Sequence, residues 1–162
     1  MLVVKKVLFV CTGNICRSPT AEAVAIDTAT RLDVTDRFAF DSAGIEGYHV
    51  GEPPDRRAIA RGRLRGYDLS PLRARRVTRQ DFEEFDLILA MDREHWHALQ
   101  RLCPAEHRHK VEMFLRGSTT CQDLDVPDPY YGADRDFDLV LEMCEDVIPR
   151  LLRDLKGESI PD

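Results

Sequence analysis

A cysteine at position 11 is followed six residues later by an arginine, in Cys11-Thr12-Gly13-Asn14-Ile15-Cys16-Arg17, and Ser18 comes next. A thiol and a guanidinium at this spacing can attack and hold an anion if the chain between them closes into a loop. The amides of Thr12, Gly13, Asn14, Ile15 and Cys16 would then turn inward and present an oxyanion to the positive end of a following helix. A thiol in a ring of N–H dipoles beside a guanidinium is favoured as thiolate, the nucleophilic form. Arg17 offers a planar fork that fits two phosphate oxygens. The stretch reads as a phosphate trap with Cys11 at its floor and Arg17 at its rim. A cysteine closing a buried strand is more often an inert hydrophobe, but strand, loop, Gly13, cap and helix all agree here.

Moving a phosphoryl group onto a thiol also requires a proton for the leaving oxygen, then a base to activate water. A candidate lies in Val126-Pro127-Asp128-Pro129-Tyr130-Tyr131-Gly132. Prolines on both sides restrict the backbone around Asp128, which helps to aim a carboxyl group. Tyr130 and Tyr131 beside it could wall a slot for a flat ring. Asp-Pro-Tyr alone is only a turn signal; it gains weight from the Cys11 loop. Asp123 and Asp125 are close by in sequence.

These residues need a scaffold. Residues 7–10 form an unbroken apolar run suited to a buried strand. Pro19 is placed to open a helix with Ser18 as its N-cap and Glu22 early in it. Ala21, Val24, Ala25 and Thr28 give that helix one buried face. Further strands are expected at 38–43, 87–91 and 111–115. Helices are expected at 56–65, ending at Gly66, at 78–85, at 92–102 and at 134–155, the last kinked or broken at Pro149. Residues 45–55, with Tyr48 and His49, and 117–132 read as loops. Strands alternating with helices predict an α/β fold with a parallel, doubly wound sheet and helices on both faces. Ligands then bind beyond the carboxyl ends of the strands, where the Cys11 loop leaves.

The 162 residues suffice for one domain, expected over 1–156 with a loose tail at 157–162. Hydrophobic content of 43% and charged content of 32% fit an ordinary globular protein. No apolar run is long enough to span a bilayer and no signal-peptide pattern precedes the first strand, so a cytoplasmic location is expected. Five cysteines without a framework spacing fit a reducing compartment. The net charge of −6 argues against nucleic acid as a partner. Positive charge gathers in 56–79 and negative charge in 123–146, expected as two solvated faces. His95, His97, Cys103, His107 and His109 are dense enough to consider for metal binding. They lack a Cys-x-x-Cys pair, and the histidines are expected to be surface residues, with no metal or cofactor implied.

The stretch Cys-Thr-Gly-Asn-Ile-Cys-Arg-Ser-Pro-Thr-Ala-Glu from Cys11 resembles the signature of the low-molecular-weight protein tyrosine phosphatases. Asp41-Ser42-Ala43-Gly44, Gly51-Glu52-Pro53-Pro54-Asp55, Arg65-Gly66-Tyr67-Asp68-Leu69, Ala90-Met91-Asp92 and the Asp128-Pro129-Tyr130-Tyr131 segment resemble the family too. Gly47-Tyr48-His49-Val50-Gly51 looks more like its bacterial branch. The resemblance implies a four-stranded, flavodoxin-like sheet of order 2-1-3-4. It implies hydrolysis of phosphotyrosine through a cysteinyl phosphate, with Cys11 as nucleophile, Arg17 as clamp and Asp128 as general acid and then base. Ser18 would donate to the thiolate, Asn14 and Ser42 would hold the loop, with Asn14 at positive φ, and Tyr48 would line the slot. Cys16 would form a protective disulfide with an oxidised Cys11. Implied partners are tyrosine-phosphorylated proteins and an opposing tyrosine kinase, with the chain a monomer or weak dimer. One departure stands out: Leu72 fills a place where many members carry a histidine bonded to the Asn–Ser network. The same fold also serves arsenate reductases, but 82–96 lacks their cysteines. Phosphoarginine phosphatases tend to have Thr where this chain has Ile15.

Overall fold

The computed structural model describes residues 3–158. Four parallel strands, β1 (Lys5–Cys11), β2 (Phe38–Gly44), β3 (Leu87–Ala90) and β4 (Val111–Met113), form one sheet in the order β2-β1-β3-β4. The doubly wound sheet and its 2-1-3-4 order are as expected. β1 is central, paired with β2 from Lys5↔Phe38 to Cys11↔Gly44 and with β3 from Val7↔Leu87 to Val10↔Ala90.

A central strand under two helical layers must be apolar on both faces, and Val7 to Val10 are all inaccessible to solvent. Val7 and Phe9 face a core built with α1 (Arg17–Arg31) and α5 (Asp134–Glu158), including Val24, Phe114, Leu141 and Ile148. Leu8 and Val10 face a smaller core with Phe82, Ile88, Leu99 and Val111, closed by α3 (Arg79–Glu84) and α4 (Arg93–Leu102). Each such side chain contributes about 1.5–3 kcal/mol by leaving water, so the carboxyl end of β1 is a rigid platform.

Several boundaries depart from expectation for local reasons. α1 begins at Arg17, so Ser18 is not its N-cap and Glu22 lies beyond its first turn. β4 stops at Met113, and Phe114–Gly117 turns into a 3-10 segment that buries Phe114 and Leu115 in the core under α5. Ala105–Lys110, not foreseen, is also 3-10. α5 runs through Pro149 without a break, because its buried stripe on either side, Val147, Ile148 and Leu152, holds it to the sheet. It continues through Gly157 to Glu158; the rest of the expected tail lies outside the described residues.

The oppositely charged segments are not two separate solvated faces. α2 (Arg56–Leu64) and its C-cap lie against α5, where Arg61 meets Asp138 through a paired contact of 2.8 and 2.7 Å. Arg65 donates to Glu145 at 2.6 Å and to Glu142 at 3.2 Å. No helix among the described residues is long and apolar enough to cross a membrane.

Candidate active site

The loop between β1 and α1 is anchored through its carbonyls. Cys11, Thr12 and Ile15 accept from the amides of Ile45, Glu46 and Asp55 at 2.8–2.9 Å. The amides of residues 12–16 are paired with no acceptor among the described residues, which leaves them to a ligand. Gly44, opposite Cys11, permits this closeness, since a Cβ there would lie 2.8 Å from the Thr12 carbonyl. Asn14 adopts φ 60°, as expected. Its amide nitrogen donates to Ser18 Oγ and Ser42 Oγ, both at 2.9 Å, and its Oδ1 accepts from the Arg75 amide at 2.9 Å.

α1 has no side-chain cap: Cys16 occupies the N-cap position and the first turn holds no acidic residue. Ser18 Oγ instead lies 2.9 Å from Cys11 Sγ and at a longer 3.5 Å from the Ala43 carbonyl. The open end of a 15-residue helix therefore meets a buried thiol, with its first amides placed to receive an anionic ligand.

Arg17 is buried in the wall and not at the rim, with 3% exposure. Its Nη1 donates to Asp92 Oδ2 at 2.8 Å and to the Val126 carbonyl at 3.0 Å, so both protons of that nitrogen are used. Its Nη2 donates to Thr12 Oγ1 at 3.2 Å and lies 3.7 Å from Asp128 Oδ2. Asp92 also caps α4 by accepting the His95 amide at 2.9 Å. Sequence reasoning did not single out Asp92, although an Asp directly after a buried strand and before a helix is a cap signal.

His95 overturns the expectation of a surface residue. It is 3% exposed, sharing a helical face with buried Leu99 four residues on, a spacing that was there to be read. Its Nε2 lies 2.7 Å from Thr12 Oγ1 and 3.4 Å from Arg17 Nη2, while Nδ1 sits 3.1 Å from Asp92 Oδ1 without a hydrogen bond. Burial first, and then the Arg17 cation, push its pKa down to about 4, so the ring is neutral at pH 7. No group of three or more His, Cys, Asp and Glu side chains among the described residues is arranged to hold a metal ion.

Above the loop is a cavity of about 330 Å³ with Cys11 at its floor and Arg17 and Asp128 in its walls. Asp128 Oδ1 accepts the Tyr130 amide at 3.1 Å, which turns the carboxyl group back toward the loop. Asp123 and Asp125 are engaged elsewhere, by Arg93 at the start of α4. Tyr48 and Tyr131 stand at the mouth, 74% and 93% exposed, and Tyr130 lies deeper at 39%. His49, read only as part of a loop, also lines the cavity. It leans over Gly13, where a Cβ would meet its ring at 2.9 Å, and is held by Glu52 at 2.7 Å.

The network left in doubt by Leu72 is closed another way. Leu72 packs against the main core, and Ser42 donates its hydroxyl to Glu22 Oε1 at 2.6 Å. Glu22 is 7% exposed, and burial pushes its pKa up to about 7. Cys11 and Cys16 are both free thiols, and burial followed by the nearby Cys11 pushes the Cys16 thiol upward.

The model of the family described as low molecular weight phosphotyrosine protein phosphatase matches residues 6–160. The human low molecular weight phosphotyrosine protein phosphatase is 42% identical over 141 residues, covering 86% of this chain and 89% of the human one. A crystal structure of a protein tyrosine phosphatase from Entamoeba histolytica, with Hepes in its active site, superposes with a TM-score of 0.92. It is 38% identical, covering 96% of this chain and 99% of that one. The structure of YfkJ from Bacillus subtilis gives a TM-score of 0.85 at 36% identity, covering 97% and 98%. The human relative thus matches in sequence over most of the chain, and the Entamoeba and Bacillus structures match it in fold over nearly the whole length. The chain belongs to the low molecular weight phosphotyrosine protein phosphatase family.

Proposed function

We propose that this chain removes phosphate from phosphotyrosine in proteins, and from simple aryl phosphates, in two steps through a cysteinyl phosphate. In the first, Cys11 sulfur attacks phosphorus, the P–O bond to the ring breaks, and Asp128 gives its proton to the departing phenol oxygen. In the second, water attacks the phosphorus while the Asp128 carboxylate takes its proton, the S–P bond breaks, and inorganic phosphate leaves. The loop amides and Arg17 hold the three non-bridging oxygens, whose charge is spread in the transition state. Ser18 supports the sulfur when it departs.

One observation carries the reading: a thiol at the floor of a cavity, 2.9 Å from a serine hydroxyl at the open end of α1, beneath an aspartate 3.7 Å from the clamping arginine. The cavity and the tyrosines that line it suit a ring between phosphate and peptide backbone, and Ile15 in its lining favours an aryl group over a guanidinium. The opposing enzyme would be a tyrosine kinase, in the cytoplasm, and the phosphatase would act as a monomer or weak dimer. Peptides bearing phosphotyrosine, phosphoserine and phosphoarginine, assayed in parallel with arsenate plus thioredoxin, test it. Phosphotyrosine should be hydrolysed at least about tenfold faster than the others, a gap of about 1.4 kcal/mol, and acid quenching should trap phosphate on Cys11. Cys11→Ser should be inactive yet still bind inorganic phosphate. Turnover by that variant, or a preference for phosphoarginine, would sink the reading.

A further inference from the structure

Nucleophile and acid come from opposite ends of the chain, so some contact must set the distance between them. The acid segment is tied at its near end by Val126, whose amide donates to the Met91 carbonyl at 2.8 Å and whose carbonyl receives Arg17. Its far end has a different anchor. Arg57 Nη2 donates to the Tyr130 carbonyl at 2.8 Å and Nη1 to the Gly132 carbonyl at 3.2 Å. The other edge of the same guanidinium is held by Asp55, with Nε 3.1 Å from Oδ1 and Nη2 3.0 Å from Oδ2. Asp55 is itself fastened to the nucleophile's loop, because its amide donates to the Ile15 carbonyl at 2.8 Å. The guanidinium carbon lies 4.6 Å from the Phe137 ring centre, which fixes its plane against α5.

We infer that Arg57 is a positioning residue that spans from the Cys11 loop, through Asp55, to the segment carrying Asp128, and so sets where the proton is delivered. This rests on the phosphatase reading and on Asp128 as its acid. A planar fork can serve a carboxylate on one edge and two carbonyls on the other; an ammonium cannot. The Arg57 side chain donates to no atom of the phosphate loop itself, so its loss should leave the nucleophile and anion cradle intact. The acid segment would then lose the anchor nearest Asp128 on its far side, and the carboxyl would wander by the order of an ångström, enough to cost up to about 10²-fold.

The test measures kcat/KM across aryl phosphates of graded leaving-group ability, because kcat/KM reports phosphoryl transfer to Cys11. Arg57→Ala should lose about 10- to 100-fold on phenyl phosphate and under about threefold on a strongly electron-withdrawn ester. Arg57→Lys should fall between Arg57→Ala and the unaltered enzyme. The alkylation rate of Cys11 by iodoacetamide and the inhibition constant for inorganic phosphate should not change. In an Asp128→Ala background, Arg57→Ala should add less than about twofold, since it acts through that carboxyl. Arg61→Ala, which frees the same helix from Asp138 without touching the acid segment, is the control for loosening α2 and should show no leaving-group dependence. A loss equal across leaving groups, full additivity with Asp128→Ala, or altered alkylation would overturn the inference while leaving the phosphatase reading standing. An Asp128→Ala variant with no leaving-group dependence of its own would overturn both.

Discussion

Glu22 ends a chain of hydrogen bonds whose other end is the Cys11 sulfur. Ser42 donates to Glu22, accepts from Asn14, and Asn14 donates its second proton to Ser18. With Ser18 Oγ already accepting, its own proton is available to sulfur at 2.9 Å. Asn14 Nδ2 can only donate, with Oδ1 taken by the Arg75 amide, so it sets the direction of both its bonds; Glu22 accepts the proton that leaves Ser42, and Leu72 supplies no acceptor. Ionising Glu22 is costly: its pKa rises from 4.5 unfolded to about 7 folded. Between those values the folded state holds a proton that the unfolded chain has lost, so stability falls as pH rises through this window. Below pH 4.5 the contribution is fully present and above about 7 it is gone, a change of at most about 3 kcal/mol. His95 has the opposite sign, since its folded pKa of about 4 lies below its ordinary 6.5 and its stabilisation is lost as pH falls through that range. The two slopes partly cancel in the unaltered protein, so the comparison must be by difference. Glu22→Gln keeps an acceptor for Ser42 and removes the titration. Its stability relative to the unaltered protein, from denaturant unfolding, should climb between pH 5 and pH 8; parallel curves would refute this.

At the scale of elements, the contrast lies among helix starts. α2 is capped by Asp55 through the Arg57 amide and α4 by Asp92 through the His95 amide, whereas α1 has no such cap. A side chain satisfying the first amides of α1 would compete with a phosphate for them. Only tertiary contacts could show this. Pro19 and Ser18 look like an ordinary helix start, and the two extra residues appear because Arg17 is pulled inward by Asp92 and Val126. Asp92 serves two elements at once, and its two roles can be separated. Asp92→Asn retains a good cap but removes the charge facing Arg17; Asp92→Ala removes both. Asp92→Asn should already unfold at lower denaturant, because it leaves the buried Arg17 cation without its charge partner, and Asp92→Ala should lose about 1 kcal/mol more through the cap. Both should bind inorganic phosphate about tenfold more weakly or worse, because a loosened Arg17 no longer presents its fork. Tight phosphate binding by Asp92→Asn would mean that Arg17 is held by the Val126 carbonyl and Thr12 alone.

The molecule as a whole brings together residues that the chain keeps more than a hundred positions apart. The strands, the Cys11 loop and the Asp128 segment were legible because each has a local signal: an apolar run, a Gly-bearing loop before a helix, an aspartate between prolines. Arg57, Glu22 and the role of His95 were not, because their meaning lies in partners from other elements: the spacing to Leu99 signals that His95 is buried, but nothing local names Thr12 and Asp92 as its neighbours. The acidic segment shows the difference most clearly. Asp123, Asp125 and Asp128 lie within six residues, yet the fold sends the first two to Arg93 on α4 and only Asp128 to the cavity. Asp123→Ala and Asp125→Ala should therefore change kcat/KM by less than about threefold, whereas Asp128→Ala should slow phenyl phosphate by roughly 10²–10⁴-fold, the usual range for a positioned proton donor. The loss should shrink as the leaving phenol becomes more acidic, because an oxygen that departs readily as an anion needs no proton. A uniform penalty for Asp128→Ala, or a comparable leaving-group dependence in the Asp125→Ala protein, would place the acid elsewhere on this segment.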